Sequence, residues 1–206
     1  SGNAVHGYYP ANGGGSNNIA SGYVSYIGGG SNNLAYSRYT GVLCGLNNTA
    51  GSANEDTGAV VCGGRGNLAW NYCSFVGGGT YNRAESADAV VVGGVNNRAQ
   101  GRSAFVGGGS ENTAETSYAT IAGGRFNAVT GYAATVAGGL DCEASADYSF
   151  ATGFASIADS SHENSAAFNG QTTTAQEQLR CDDLRSNSMG LALDHPMDPK
   201  GTILNL

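Results

Sequence analysis

The sequence predicts an all-β chain wound as a parallel β-solenoid, with one coil for about every 15 residues. Three observations carry this reading: a motif recurring at fixed spacing, a β-branched column at one slot of it, and glycine at two others. The octet GGGSNNIA ending at Ala20 returns as GGGSNNLA ending at Ala35, then as GGGTYNRA at Ala84, VGGVNNRA at Ala99 and GGGSENTA at Ala114. Anchoring on the Asn two places before each Ala gives Asn18, Asn33, Asn48, Asn67, Asn82, Asn97, Asn112 and Asn127, with Cys142 and then Ser156 in the same slot. Successive spacings are 15, 15, 19, 15, 15, 15, 15, 15 and 14, so one unit holds a four-residue insertion, within residues 51–58.

The strand of each unit comes first. Six places before the Asn stand Ile27, Val42, Val61, Val76, Val91, Val106, Ile121 and Val136, a column that suits a buried strand position. Two places earlier the residues are all small, from Ser25 and Thr40 to Ala119 and Ala134. Side chains alternate along a strand, so these two columns share one tight interior face. The position between them is also largely apolar, as in Tyr26, Val60, Phe75, Val90 and Phe105. A strand apolar on both faces is one covered on both, by its own coil and by a neighbour.

Two glycines follow the strand in nearly every unit, and the second is glycine in all nine units from Gly15 to Gly139. Such a slot marks a corner with positive φ or a close backbone approach. The Asn column then reads as a structural ladder in which each amide bonds to the units above and below. A second turn, often holding glycine (Gly22, Gly101, Gly131), leads back to the next strand. A helix is excluded, because each glycine pair would cost it about 2 kcal/mol relative to alanine. Two short strands and two corners remain, rising about 4.8 Å per coil. So small a coil encloses too thin a core to stand alone, and lateral association is expected.

Composition narrows the function. Glycine is 34 of 206 residues, about one in six, and charged residues are only 12%. The net charge of −7, from 9 basic and 16 acidic residues, argues against nucleic acid as partner, since a phosphate backbone needs clustered Lys and Arg. No run of 18 apolar residues exists, so no membrane insertion by a helix is expected. The opening SGNAVHGYYP lacks the basic and apolar regions of a signal peptide. Cys44, Cys62, Cys73, Cys142 and Cys181 show no metal-ligand spacing, and His6, His162 and His195 lie outside the regular coils or at their margins. No GxSxG, HExxH or P-loop motif occurs, so no catalytic residue, metal or cofactor is assigned and the chain reads as a non-enzyme. Asp141, Glu143 and Asp147 form the one local acidic cluster weighed as a Ca²⁺ site. Tyr23, Tyr26, Tyr36, Trp70, Tyr72, Phe75 and Tyr81 are weighed as a glycan-stacking surface against intersubunit packing.

The unit S/A-x-V-x-G-G-x-x-N-x-A-x-G resembles the head repeat of YadA-type trimeric adhesins, in its 15-residue GGGxxNTA variant found in long surface proteins and phage-type fibres. The resemblance covers residues 13–158, after a lead-in of 1–12, with departures at Cys44, Cys142 and the insertion. It implies a left-handed parallel β-roll, three of which pack about a shared axis as a parallel homotrimer. In residues 159–206, the stretch 161–168 (SHENSAAF) resembles the neck-like segment that follows such heads. The stretch 193–199 (LDHPMDP) resembles a sequence preceding the intramolecular chaperone of tail-spike endosialidases, so 159–206 is expected to be a connector. The function implied is a structural and adhesive module of an extracellular fibre on a cell surface, with itself as partner and a host-surface glycan or protein as receptor. The alternative is a tail-fibre or receptor-binding fibre segment of a phage or phage-like injection system.

Overall fold

The computed structural model describes residues 2–52, 58–161 and 163–173, together with the backbone of Leu179–Arg180. It is a parallel β-solenoid of about 11 coils, and no helix occurs among the described residues. Each coil contributes one strand to each of two sheets. An 11-stranded sheet runs from Ala4–Val5 to Ile157–Ala158, and a 12-stranded sheet runs from Ala11–Asn12 to Leu179–Arg180. The first is called here the alanine sheet and the second the valine sheet, after the residues they turn inward.

Most strands are two residues long, such as Val90–Val91 and Arg98–Ala99. From Ile19–Ala20 to Ile157–Ala158, the first residue of each strand faces out and the second is buried. Val76, Val91 and Val106 stack in register through the valine sheet, and Ala84, Ala99 and Ala114 through the alanine sheet. All of them are fully buried, as are Ile27, Val42, Val61, Ile121 and Val136. The small column from Ser25 to Ala134 lines the same interior, at most 2% exposed. Among the described residues no fully buried side chain is larger than isoleucine. A turn of this size has room for one β-branched residue, one or two small ones and one amide.

The long unit leaves both sheets undisturbed. Val42 pairs with Val61 and Ala50 with Ala69, so the extra residues fall between Ala50 and Val60 in the sequence. Residues 53–57 themselves lie outside the described residues.

Coiling begins earlier in the chain than residue 13. Ala4–Val5 pairs with Ile19–Ala20, and Ala11–Asn12 pairs with Tyr26–Ile27. At the other end Ala166–Phe168, in the stretch that resembles a neck, adds a strand to the valine sheet beside Phe150–Phe154. His162, and the stretch 181–206 with Cys181, His195 and the segment 193–199, lie outside the described residues.

Sequence reasoning gives two strands per coil, and the structure adds a third line of parallel contact. Single-residue bridges join Ser31, Leu46, Arg65, Thr80, Val95, Ser110 and Arg125 just after the glycine corner. The corner makes this possible. Gly94 has φ 91°, and Val95 N–H there donates to Gly109 O of the next coil at 2.9 Å. A Cβ on Gly94 would lie 2.1 Å from Gly109 O, whereas one on Gly93 meets nothing within 4 Å. Gly94→Ala is therefore expected to destabilise the fold by more than the ~1–2 kcal/mol of left-handed backbone alone, while Gly93→Ala changes stability by under about 1 kcal/mol. Thermal unfolding of the two variants side by side checks this, and equal shifts would refute the corner assignment.

The second turn uses glycine for a different reason. Gly101 does not have positive φ, but its Cβ would lie 1.7 Å from Thr116 O. The left-handed residue of that corner comes two places later, at Ser103 with φ 54°. In the equivalent place Val24 has φ 53°, an uncommon conformation for a β-branched side chain.

Candidate functional site

The Asn column is interior. Asn18, Asn33, Asn48, Asn67, Asn82, Asn97, Asn112 and Asn127 are each at most 1% exposed. Their wiring differs from the amide-to-amide ladder expected from sequence. Asn97 Nδ2 donates to Gly93 O of its own coil at 2.9 Å and to Gly109 O of the next at 3.0 Å. Its Oδ1 accepts the backbone N–H of Asn112 at 3.0 Å, and its own N–H donates to Asn82 Oδ1 at 3.0 Å. The same side-chain-to-backbone pattern repeats at its neighbours, for example at Asn82. Direct amide-to-amide bonds join Asn112 Nδ2 to Asn97 Oδ1 at 3.1 Å and Asn127 Nδ2 to Asn112 Oδ1 at 3.0 Å. The physical reason lies in the glycine corner, whose carbonyls need donors that the coil itself does not supply.

The column also extends past the eight asparagines. Asn3, exposed at the end, accepts from Asn18 N–H at 3.0 Å and donates to Gly15 O at 3.1 Å. It stands 15 places before Asn18, so the spacing contained the signal. Cys142 donates through its N–H to Asn127 Oδ1 at 2.9 Å, and its Sγ lies 3.2 Å from Gly153 O. The thiol thus takes the donor role of the amide. Ser156 Oγ donates to Thr152 O at 2.8 Å and accepts from Gly170 N–H at 3.1 Å. At a buried position such as Asn97, both amide donors and the carbonyl oxygen are thus engaged inside the protein.

The outer faces of the two sheets differ in charge. On the valine sheet the outward positions run Tyr26, Leu43, Val60, Cys62, Phe75, Val90, Val92, Phe105, Thr120, Ala122 and Thr135, with glycines between and no charged residue. Leu43 and Val92 are about half exposed there, at 49% and 48%. Charged residues stand on the alanine face and at the corners instead. Arg83, Glu85, Arg98 and Glu115 are on that face, and Arg38, Arg65, Asp88, Arg102, Glu111 and Arg125 are at corners.

The densest group on the alanine face spans three coils. Arg83 and Arg98 pair directly in register, as do Leu68 and Arg83. Glu85 accepts from Arg83 Nε, from Arg98 Nη2 at 3.1 and 3.2 Å, and from Gln100 Nε2 at 3.1 Å. Partial burial pushes the Glu85 carboxyl upward, but hydrogen bonds from Arg83, Arg98 and Gln100 outweigh it and hold the group below its ordinary value. Leu68, Trp70, Arg83, Glu85 and Arg98 line an open concavity of about 370 Å³. A smaller hollow of about 220 Å³ lies between Tyr23, Tyr36 and Arg38, lined also by Ser21, whose buried Oγ has no hydrogen-bond partner among the described residues.

The aromatics weighed as a stacking surface do not share one face. Tyr26 and Phe75 are on the valine sheet, Tyr36 and Trp70 on the alanine face, and Tyr23 and Tyr72 at the corner between them. Tyr81 sits at the glycine corner under the Arg65 guanidinium, 5.9 Å from its ring centroid. The second corner instead gathers edge-to-face tyrosines in two runs: Tyr9, Tyr23 and Tyr39, then Tyr118, Tyr132 and Tyr148, the latter with centroids 5.5 and 5.7 Å apart.

Asp141, Glu143 and Asp147 do not converge. Asp147 Oδ1 accepts from Tyr132 N–H at 2.8 Å, Glu143 accepts from Ser145 Oγ, and no metal-binding group of three His, Cys, Asp or Glu occurs among the described residues. Among the described residues, Cys44, Cys62, Cys73 and Cys142 form no disulfide. No family model matches the chain, and no curated protein matches it.

Proposed function

We propose that this chain is a non-enzymatic, structural and adhesive module of a trimeric extracellular surface fibre, of the YadA-like head type. The observation that carries the reading is the valine-sheet face. It runs from Ala11–Asn12 to Ala166–Phe168 without a charged residue, in a chain that carries 25 charged side chains. A one-side-chain-thick core gains little from burial within one chain, and an uncharged face along the rod lets three copies bury more. Parallel packing about the long axis puts identical coils at identical heights, as rotational symmetry requires.

A mass by light scattering of about three times 20.7 kDa is the expected result. A monomeric mass for the unmodified chain would overturn it. Val92→Asp, at an outward position of that face, is expected to retain the β signal but loosen the trimer, so that its melting temperature falls as the chain is diluted. The second reading, a phage or injection-system fibre segment, rests on the resemblance of residues 193–199 to a pre-chaperone sequence. A baseplate gene beside the coding sequence favours it, and a leader-bearing surface protein favours the first.

A further inference from the structure

The alanine face carries a group that packing of the valine face does not use. Arg83 and Arg98 stand one directly above the other on neighbouring strands. Like charges opposed across a ladder are locally destabilising. With only 9 basic residues against 16 acidic in the chain, their stacking does not follow from abundance. Glu85, between them, neutralises one of the two and leaves a net positive charge in an acidic protein. The two guanidinium side chains stay 48% and 44% exposed. Beside them the only tryptophan, Trp70, is 44% exposed. A local rule broken without a gain in packing marks a place where function sets the sequence.

We infer that the concavity formed by Trp70, Arg83, Glu85 and Arg98 binds a carboxylate-bearing saccharide. Each group has a part in such a ligand. The indole offers a flat apolar surface for the C–H face of a sugar ring. The guanidinium forks hold a carboxylate through paired N–H donors. Gln100, with a second Nε2 N–H beyond the one on Glu85 and an amide carbonyl, supplies a donor and an acceptor for ring hydroxyls. The volume of about 370 Å³ falls in the range of small-ligand sites. An acidic peptide is served less well. Extended peptides bind by adding a strand to an open sheet edge, and here the backbone is already paired, with Arg83 N–H on Asn97 O and Arg98 N–H on Asn112 O, both at 2.8 Å. The inference gives the adhesive half of the fibre reading a ligand class. It needs only one chain's face, so its failure leaves the mass measurement, and the trimer, untouched.

Because Trp70 is the only tryptophan, its emission reports this site alone. The full chain is titrated with trigalacturonate, with maltotriose as a neutral counterpart and with hexaglutamate as an acidic peptide. A saturable change in emission with trigalacturonate in the millimolar range or below is expected, with maltotriose and hexaglutamate each at least about tenfold weaker. Arg98→Gln is expected to weaken trigalacturonate by about tenfold and erase the preference over maltotriose. Arg98→Lys, which keeps the charge but not the fork, retains folding and falls between the two. No saturable response to trigalacturonate, or an equal response to maltotriose, overturns the inference. Equal binding of hexaglutamate overturns it too, in favour of a surface for acidic chains at large.

Discussion

Val91→Asp is expected to abolish the native solenoid. Val91 is completely buried and stacks in register between Val76 and Val106. Its coil is lined at that level by Ala89, Ala99 and Asn97, all fully buried. The amide of Asn97 already has its partners, so a carboxylate here finds neither a cation nor a free donor. An unpaired charge in a dry interior costs several kcal/mol, against a total stability of about 5–15 kcal/mol for a typical domain. The interior is one side chain wide, so the chain has no second layer into which the carboxylate can turn. Val92→Asp is the matching control, one residue on and 48% exposed. Circular dichroism and thermal unfolding are expected to show loss of β structure for Val91→Asp and its retention for Val92→Asp. Equal loss from both would reverse the assignment of inside and outside.

The repeat made the interior legible because interior positions are the ones that stacking constrains. A residue facing Val91 must suit the coil above and the coil below at once, and the Val, Ala, Asn and second Gly columns record that restriction. Corners are less legible. Asn17, Tyr81, Glu111 and Phe126 all have left-handed φ between 54° and 59° in the same slot, yet share no chemistry. Hydrogen bonds on both sides impose that corner, as when Tyr81 N–H donates to Arg65 O at 2.9 Å, so the slot accepts many side chains despite its backbone cost.

The outer faces were read less well, and for a geometric reason. Alternation with period 2 assigns faces only within a strand, and here a strand is two residues long before a corner resets it. Grouping the aromatics by sequence proximity therefore mixed the valine face, the alanine face and two corners. The Arg83–Glu85–Arg98 group escaped for a related reason. Arg83 and Glu85 are close in sequence, but Arg98 lies 13 residues beyond Glu85, and only the register brings it to them. The periodic frame itself held the clue, since both arginines occupy the slot just after the Asn.

Asn97→Ala is expected to be strongly destabilising in the middle of the rod. It removes the acceptor for Asn112 N–H and, among the described residues, the donor to Gly93 O. Gly109 O loses one bond but keeps Val95 N–H at 2.9 Å. Two buried backbone groups are thus left without partners, and each costs roughly 1–3 kcal/mol. That corresponds to a fall in melting temperature on the order of 10 °C for a chain of this size. The end of the column gives the comparison. Asn18 is as deeply wired as Asn97, because Asn3 lies below it and Asn33 above. The mild case is therefore Asn3→Ala, where water reaches the freed groups and a change within about 1 kcal/mol is expected. Asn97→Asp separates the two possible wirings of the column. A carboxylate keeps the acceptor for Asn112 N–H but turns oxygen toward the carbonyls of Gly93 and Gly109, so it is expected to do at least as much harm as alanine. Melting temperatures of the three variants test this together. If Asn97→Asp were as stable as the unmodified chain, the amide would not be the donor that holds the glycine corners, and the column would owe its regularity to something other than these bonds.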